Sequence, residues 1–127
     1  MTDDDRRVEP VTLAEAFESF DETWSPRLAA ELNGQAVKLA KMDGEFVWHS
    51  HPDADELFLV VAGSMTLELR AGDDVELAAG EMAVVPRGVE HRPVAPEGAD
   101  VLLFEPSGTA NTGDAAGDER AADVVDL

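Results

Sequence analysis

Three histidines and one glutamate form the group in this sequence that is best suited to chemistry. The chain has three histidines, and His49 and His51 are separated by one residue while His91 follows later. A neutral imidazole nitrogen is the commonest protein ligand for Zn, Cu, Fe and Ni. Residues two apart in an extended strand point to the same face, so His49 and His51 should project together. Glu56 opens an apolar run, where a carboxylate is costly to bury unless it is paired or binds a metal. These four residues predict a metal site with three nitrogen ligands and one oxygen ligand.

Two segments around these residues resemble the two signature motifs of the cupin superfamily. The first motif, G(x)5HxH(x)3-4E(x)6G, is matched at Gly44, His49, His51, Glu56 and Gly63, with four residues rather than five before His49. The second motif, G(x)5PxG(x)2H(x)3N, is matched at Gly80, Pro86, Gly88 and His91, with Ala95 in place of the closing asparagine. The resemblance implies a small single-domain cupin (monocupin), an all-β double-stranded β-helix or jelly-roll barrel, whose metal ligands are His49, His51, Glu56 and His91.

The pattern of the surrounding chain is typical of short strands separated by glycine and proline turns. Asn33-Gly34 lies between two strand-like segments, 28–32 and 35–42, and this dipeptide favours a type I′ hairpin. Further strands are predicted over 56–61, 64–70, 75–77, 82–85 and 101–105, and Asp43-Gly44 is predicted to turn the chain. Thr12 followed by Glu15 has the spacing of a capping box, which predicts a short N-terminal helix that covers the core.

Length and composition limit the architecture. A chain of 127 residues has room for a single domain, which we place at residues 11–113. Residues 1–10 are predicted to be a mobile acidic N-terminus, and residues 114–127 an acidic tail with a composition typical of disorder. No apolar stretch is long enough to span a membrane, and the acidic start lacks the apolar segment of a signal peptide. The chain has no cysteine. We therefore expect a cytoplasmic protein.

The net charge is the second informative quantity. The chain carries a formal charge of −19, from 28 acidic and nine basic residues. Such a charge repels nucleic acid and anionic membranes, so neither is expected as a partner. Salt at about 1 M shortens the screening length to about 3 Å and would relieve the self-repulsion. We interpret this acidic protein as halophilic.

Strand parity predicts which side chains line the pocket and which point away from it. Glu45 and Val47 should share the face of His49, and Phe58 and Val60 that of Glu56, which makes the pocket small and largely apolar. Glu45, Glu105 and Arg92 are candidates for polar roles there, although a surface or structural pairing is the simpler interpretation of each. The opposite faces hold Phe46, Trp48, Leu57, Leu59 and Val61. Because these are too apolar for a solvent-facing sheet, we expect a homodimer.

The sequence leaves the activity open between two classes. The first is a metal-dependent enzyme, a dioxygenase or an isomerase, that transforms a small oxygen-bearing metabolite with Mn, Fe, Ni, Cu or Zn. The second is a non-catalytic metal-binding cupin that stores, senses or carries a small ligand. The absence of tyrosine, and of any histidine beyond the predicted ligands, argues against a sugar-nucleotide epimerase-like cupin. No catalytic residue is assigned.

Overall fold

The computed structural model describes residues 8–115, 122 and 124–127, and within them the regular secondary structure is β-strand apart from one short helix. The elements are helix α1 (Leu13–Glu18) and strands β1 (Arg27–Leu32), β2 (Gln35–Glu45), β3 (Glu56–Leu69), β4 (Val75–Ala78), β5 (Met82–Val85), β6 (His91–Pro106) and β7 (Val125–Asp126). The strands form one sheet in the order β4-β3-β6-β2-β1-β7, with β5 on β3. In this part of the chain no helix is long and apolar enough to cross a membrane.

The first hairpin forms at the predicted turn. β1 and β2 pair in antiparallel fashion, and Leu32 lies opposite Gln35 across the two-residue loop. Asn33 and Gly34 have φ values of 51° and 77°, and positive φ at both positions is the requirement of a type I′ turn. Asp43-Gly44, in contrast, does not turn the chain. Gly44 lies inside β2, at a shift in the pairing with β6 between Met42 and Gly44, so the positive φ of this glycine serves a bulge.

β3 and β6 are the two long strands, and their bending rolls the sheet. Residues 57–60 of β3 pair with residues 101–104 of β6, and residues 66–69 pair with residues 91–94. The pairing shifts register between these halves, where Gly63 has a φ of 78°. A Cβ at Gly63 would collide with the carbonyl oxygen of Gly98. The sheet therefore folds back on itself at a contact that only glycine permits, which gives the double-stranded β-helix predicted from the sequence.

The rolled sheet encloses the main core. Its alternating inward side chains from five strands include Met42, Phe58, Val60, Leu67 and Val101. A second, smaller core lies on the outer face, where Phe17 and Phe20 pack on Leu39, with Val61 and Leu102 at its edge. Helix α1 therefore covers part of the sheet, as predicted. Thr12 is its N-cap residue, but its side chain makes no capping hydrogen bond, so the predicted capping box does not form.

The outer face differs from the prediction at Phe46. Phe46 is buried with a relative exposure of 5% and lines the interior. Trp48 lies beneath the Arg70 guanidinium, whose Cζ is 4.0 Å from the ring centroid. The alternation of β2 ends at Glu45, so strand parity cannot be extended through residues 46–48.

An apolar strip remains on the outer face of the sheet. Cross-strand pairing places Val84 beside Leu57 and Leu57 beside Phe104, and in the next row Met82 beside Leu59. Met82 and Val84 are 64% and 56% exposed. We call these five residues the outer apolar strip.

The predicted segment boundaries fall partly outside the described residues. Residues 1–7, in the predicted mobile N-terminus, and residues 116–121 and 123, in the predicted acidic tail, are not described. Within that tail, Val125 and Asp126 pair in parallel with Arg27 and Leu28 of β1. The boundaries at 11 and 113 stay predictions.

Candidate metal centre

Backbone hydrogen bonds between two distant segments bring the histidines together. The N–H of His49 donates to the carbonyl oxygen of His91 at 3.0 Å, and the N–H of His91 donates back to His49 at 2.9 Å. The N–H of Gly88 donates to the carbonyl oxygen of His51 at 2.9 Å, so the Pro86–Gly88 turn holds the other predicted ligand. Glu56 is the first residue of β3 and lies opposite Val85. The two motifs thus meet in space through their main chains.

Two of the imidazole rings are oriented by backbone carbonyl groups. His49 Nδ1 lies 2.9 Å from the carbonyl oxygen of Val47, and His91 Nδ1 lies 2.9 Å from that of Val89. A carbonyl oxygen only accepts, so each Nδ1 carries a proton, and in a neutral ring Nε2 is then the nitrogen with the free lone pair. This arrangement is the usual one for a metal-binding histidine, whose second nitrogen is held by a hydrogen bond.

The four side chains converge on one small volume. One ligand atom from each of His49, His51, Glu56 and His91 lies within 4.8 Å of the others, and all four residues are buried. Glu56 Oε1 is 3.2 Å from His51 Nε2 and 3.6 Å from His91 Nε2. Among the described residues, these three atoms are buried without a hydrogen-bond partner. Converging buried lone pairs are costly unless a cation neutralises them, so the donor set fits a divalent transition metal. We call these four residues the His/Glu cluster.

Burial and mutual proximity set the charge of the His/Glu cluster. Burial, together with the neighbouring His91, lowers the pKa of His49 to about 4. Burial by itself would raise the pKa of Glu56, but the neighbouring polar side chains of Glu105, His51 and His91 outweigh it and hold that pKa below its ordinary value. At neutral pH, His49 is therefore neutral and Glu56 ionised, which are the forms that bind metal.

Behind Glu56 lies a second buried carboxyl group. Glu105 Oε2 is 2.7 Å from Lys38 Nζ, which also donates to the carbonyl oxygen of Thr109 at 3.0 Å. Burial and the Glu56 carboxylate raise the pKa of Glu105 to about 9, against the opposing effect of Lys38. Glu105 thus holds a proton beside the ionised Glu56 at neutral pH.

A narrow cavity reaches the His/Glu cluster from the interior of the barrel. Its volume is about 30 Å³, which accommodates one or two water molecules. Its polar lining comes from His49, Glu56, Glu105 and Asn111. Its apolar walls include Trp24, Met42, Phe46, Phe58 and Leu103. Any larger ligand must displace wall side chains or enter only in part.

Of the four residues predicted from the sequence to line the pocket, only Phe58 does so. Phe58 lines the cavity, whereas Val60, with no exposed surface, packs in the main core. Glu45 and Val47 are absent from the cavity lining. Glu45 is exposed and lies 3.6 Å from Arg92, which also pairs with Glu68 at 2.7 Å. Val47 contributes its carbonyl group to His49 rather than its side chain.

Several lining residues were not predicted from the sequence. Trp24 stacks on Phe46 with 4.7 Å between ring centroids, and Phe46 meets the ring of His49 edge-on at 5.5 Å. Asn111 and the Lys38 partner of Glu105 were also missed. Lys38 did carry a signal, since it is one of only two lysines and lies at a strand position where its neighbours Ala36 and Ala40 are apolar.

Comparison with known proteins also indicates a cupin domain. A family model described as a cupin domain matches residues 36–107. A crystal structure of a cupin-2 domain containing protein from Shewanella frigidimarina is 44% identical, with a TM-score of 0.73, and the match covers 76% of this chain and 93% of that one.

Curated relatives are similar over shorter stretches. The uncharacterized protein YdbB of Bacillus subtilis is 38% identical over 63 residues, which are 50% of this chain and 56% of YdbB. The auxin-binding protein ABP19a of Prunus persica is 33% identical over 91 residues, covering 63% of this chain and 44% of ABP19a. This chain thus spans about half the length of the curated relatives it matches.

Proposed function

The chain belongs to the cupin family, and from this premise we propose that it binds one divalent transition metal at His49, His51, Glu56 and His91. The observation that carries the proposal is the convergence of three unpartnered buried atoms, His51 Nε2, Glu56 Oε1 and His91 Nε2. The orientation of the His49 and His91 rings by backbone carbonyl groups supports it. Imidazole and carboxylate ligands suit Mn, Fe, Ni, Cu or Zn, and the same donor set serves each of them.

We further propose that the site binds or transforms a small oxygen-bearing molecule. A bound divalent ion would polarise an oxygen of that molecule and orient it. The protein supplies the rest of the environment. Phe46 and Phe58 keep the cavity apolar, while Glu105 places a protonatable carboxyl group beside Glu56. A dioxygenase or an isomerase is the enzyme class that this arrangement would serve.

A non-catalytic function is the second candidate, and one observation favours it. Among the relatives is a protein named for auxin binding, matched at 33% identity. The apolar walls of the cavity beside the His/Glu cluster would contact a small ligand that displaces wall side chains as it enters. We therefore retain a metal-dependent ligand-binding, storage or sensor protein as the alternative.

Metal analysis of the purified full chain tests the shared premise. Protein prepared without chelator should contain close to one transition metal per chain. His51→Ala should lose most of it, because a missing ligand leaves an open and weaker site. Arg92→Ala, which removes a charged side chain outside the cavity, is the control and should keep full occupancy. Full occupancy in a His49→Ala/His91→Ala double variant would overturn the proposal.

We also propose an oligomeric state and a cellular environment for the protein. The outer apolar strip supports a homodimer in which two copies bury this face against each other. The strip has no charged side chain that could pair with a charged partner surface, whereas a second copy of the strip is equally apolar. The net charge of −19 supports function in a high-salt cytoplasm. Neither nucleic acid nor membrane is proposed as a partner.

A further inference from the structure

A contact from the far end of the chain holds the residue between two members of the His/Glu cluster. Ser50 lies between His49 and His51 in the sequence, and its partner is Asp114. Asp114 Oδ1 accepts from the N–H of Ser50 at 2.8 Å, and Oδ2 accepts from Ser50 Oγ at 3.1 Å. The N–H of Asp114 donates to the carbonyl oxygen of Ser50 at 2.9 Å. One residue thus satisfies the main-chain donor, the main-chain acceptor and the hydroxyl group of Ser50.

The residue before Asp114 packs directly on the His49 ring. Gly113 has a φ of 52°, and a Cβ built on it would collide with the carbonyl oxygen of Ser50 and lie 3.0 Å from His49 Cδ2. Cδ2 is bonded to Nε2, the nitrogen that His49 presents to the His/Glu cluster. Gly113 therefore lies against the edge of the His49 ring that carries Nε2, at a position where a residue with a Cβ would not fit.

The segment that carries these two residues is folded by short-range hydrogen bonds and contains one buried side chain. The N–H of Gly113 donates to the carbonyl oxygen of Ala110 at 3.1 Å, and that of Ala115 donates to Thr112 at 2.8 Å. Thr112 is fully buried. Gly113 and Asp114 also lie beyond residues 36–107, the part that matches the cupin domain.

We propose that Gly113 and Asp114 are positioning residues that hold the His49–Ser50–His51 segment in the geometry required for metal binding. His49 is fixed by its bridge to His91, and His51 by its bond from Gly88. Ser50 between them is held by Asp114, so loss of Asp114 would let this segment rotate and the two rings diverge. This inference rests on the proposed metal site.

Cobalt binding to the full-length protein measures the effect. Asp114→Ala should weaken Co²⁺ binding about 10-fold to 100-fold, the usual cost of losing a group that orients a metal ligand, and should shift the visible Co²⁺ absorption bands. Asp114→Asn should bind nearly as well as wild type, because its amide oxygen accepts from the Ser50 N–H and its NH₂ group donates to Ser50 Oγ. This rescue separates hydrogen bonding from charge.

Two further variants complete the series. Gly113→Ala should impair Co²⁺ binding through the collision with Ser50, independently of Asp114. Asp100→Ala removes a different partly exposed carboxylate, 3.7 Å from Lys41, and should leave Co²⁺ affinity unchanged. If Asp114→Ala and Gly113→Ala both bind Co²⁺ within twofold of wild type, the positioning role is overturned.

Amide hydrogen exchange in the metal-free protein separates this inference from the metal proposal. The Ser50 amide should be protected in wild type and in Asp114→Asn, and should exchange at least 10-fold faster in Asp114→Ala. If wild type binds no Co²⁺ while Ser50 shows this pattern, the metal proposal fails and Asp114 still positions the His49–Ser50–His51 segment. If Ser50 exchanges equally fast in all three proteins, the contact does not hold this segment and the inference fails.

Discussion

Lys38 donates a hydrogen bond to Glu105 inside the barrel, with Nζ and Oε2 2.7 Å apart and each residue only 2% exposed. Lys38→Met should lower the free energy of unfolding by about 3 kcal/mol, at the low end for a broken buried pair because Glu105 already holds a proton. Lys38→Met/Glu105→Met should recover most of that loss, since apolar side chains replace both polar groups. Urea unfolding of the metal-free proteins measures both. The two residues are not coupled if the double variant loses as much free energy of unfolding as Lys38→Met and Glu105→Met lose together.

The depressed pKa of His49 makes the metal-free protein sensitive to acid. The native pKa is about 4 against an ordinary value of 6.5, so between these values the unfolded chain binds a proton that the native state does not. Stability from this group is therefore complete above pH 6.5 and is lost as the pH falls towards 4. The full loss is about 3 kcal/mol.

His49→Gln isolates this effect, because glutamine does not titrate. The raised pKa of Glu105 acts in the opposite direction over the same pH range, so the wild-type slope alone is not diagnostic. Urea unfolding in EDTA at several pH values gives the slope of the free energy of unfolding against pH for each protein. The slopes of wild type and variant should differ by the equivalent of about one proton. If the free energy of unfolding depends on pH in the same way in both proteins, the lowered pKa of His49 is contradicted.

Gly63 should tolerate alanine less well than other glycines in the chain. Gly63→Ala combines a φ of 78° with a collision against the Gly98 carbonyl group, and we expect a loss of about 2 kcal/mol or more. Gly34→Ala has a φ of 77° but no atom within 4 Å, so it reports the backbone cost alone. Gly72→Ala has neither feature and should be close to neutral. Thermal unfolding of the three variants should rank them in that order, and equal effects at Gly63 and Gly34 would remove the role of the close contact.

The proposed dimer should dissociate when a charge is placed in the outer apolar strip. Val84 is 56% exposed on β5, and Val84→Asp should convert the dimer to a monomer because two buried carboxylates would face the interface. Val11→Asp changes another exposed valine, located before helix α1, and should leave the mass unchanged. Light scattering in molar KCl provides the measurement, since charge repulsion is then screened. A monomeric wild type under these conditions contradicts the dimer.

Salt should stabilise the protein strongly. The screening length falls from about 10 Å at 0.1 M to about 3 Å at 1 M, which weakens repulsion among surplus surface carboxylates. We expect the melting temperature to rise steadily with KCl over this range. The titration should be carried out with excess metal, so that metal loss is not mistaken for a salt effect. A flat or falling melting temperature would leave the acidity without a halophilic explanation.

The features that follow short-range rules were accessible from the sequence. Asn33-Gly34 specified the hairpin, because both residues accept positive φ. The HxH spacing and Glu56 singled out the residues that the fold brings together, although bringing His91 to them depends on pairing that no local pattern encodes. Phe46 was misplaced because the strand alternation stops one residue before it. Lys38 with Glu105, and Ser50 with Asp114, join residues more than 60 positions apart. Such pairs become visible only when the chain is folded.

The stacking of Trp24 on Phe46, together with the edge-on contact of Phe46 with His49, has a spectroscopic consequence. The chain has two tryptophans, and their surroundings differ. Trp24 lines the cavity beside the His/Glu cluster, whereas Trp48 lies beneath Arg70 on the outer surface. An ion or molecule arriving at the cluster alters the environment of one indole and leaves the other as an internal reference. The protein thus carries its own fluorescent reporter of occupancy, with no label required.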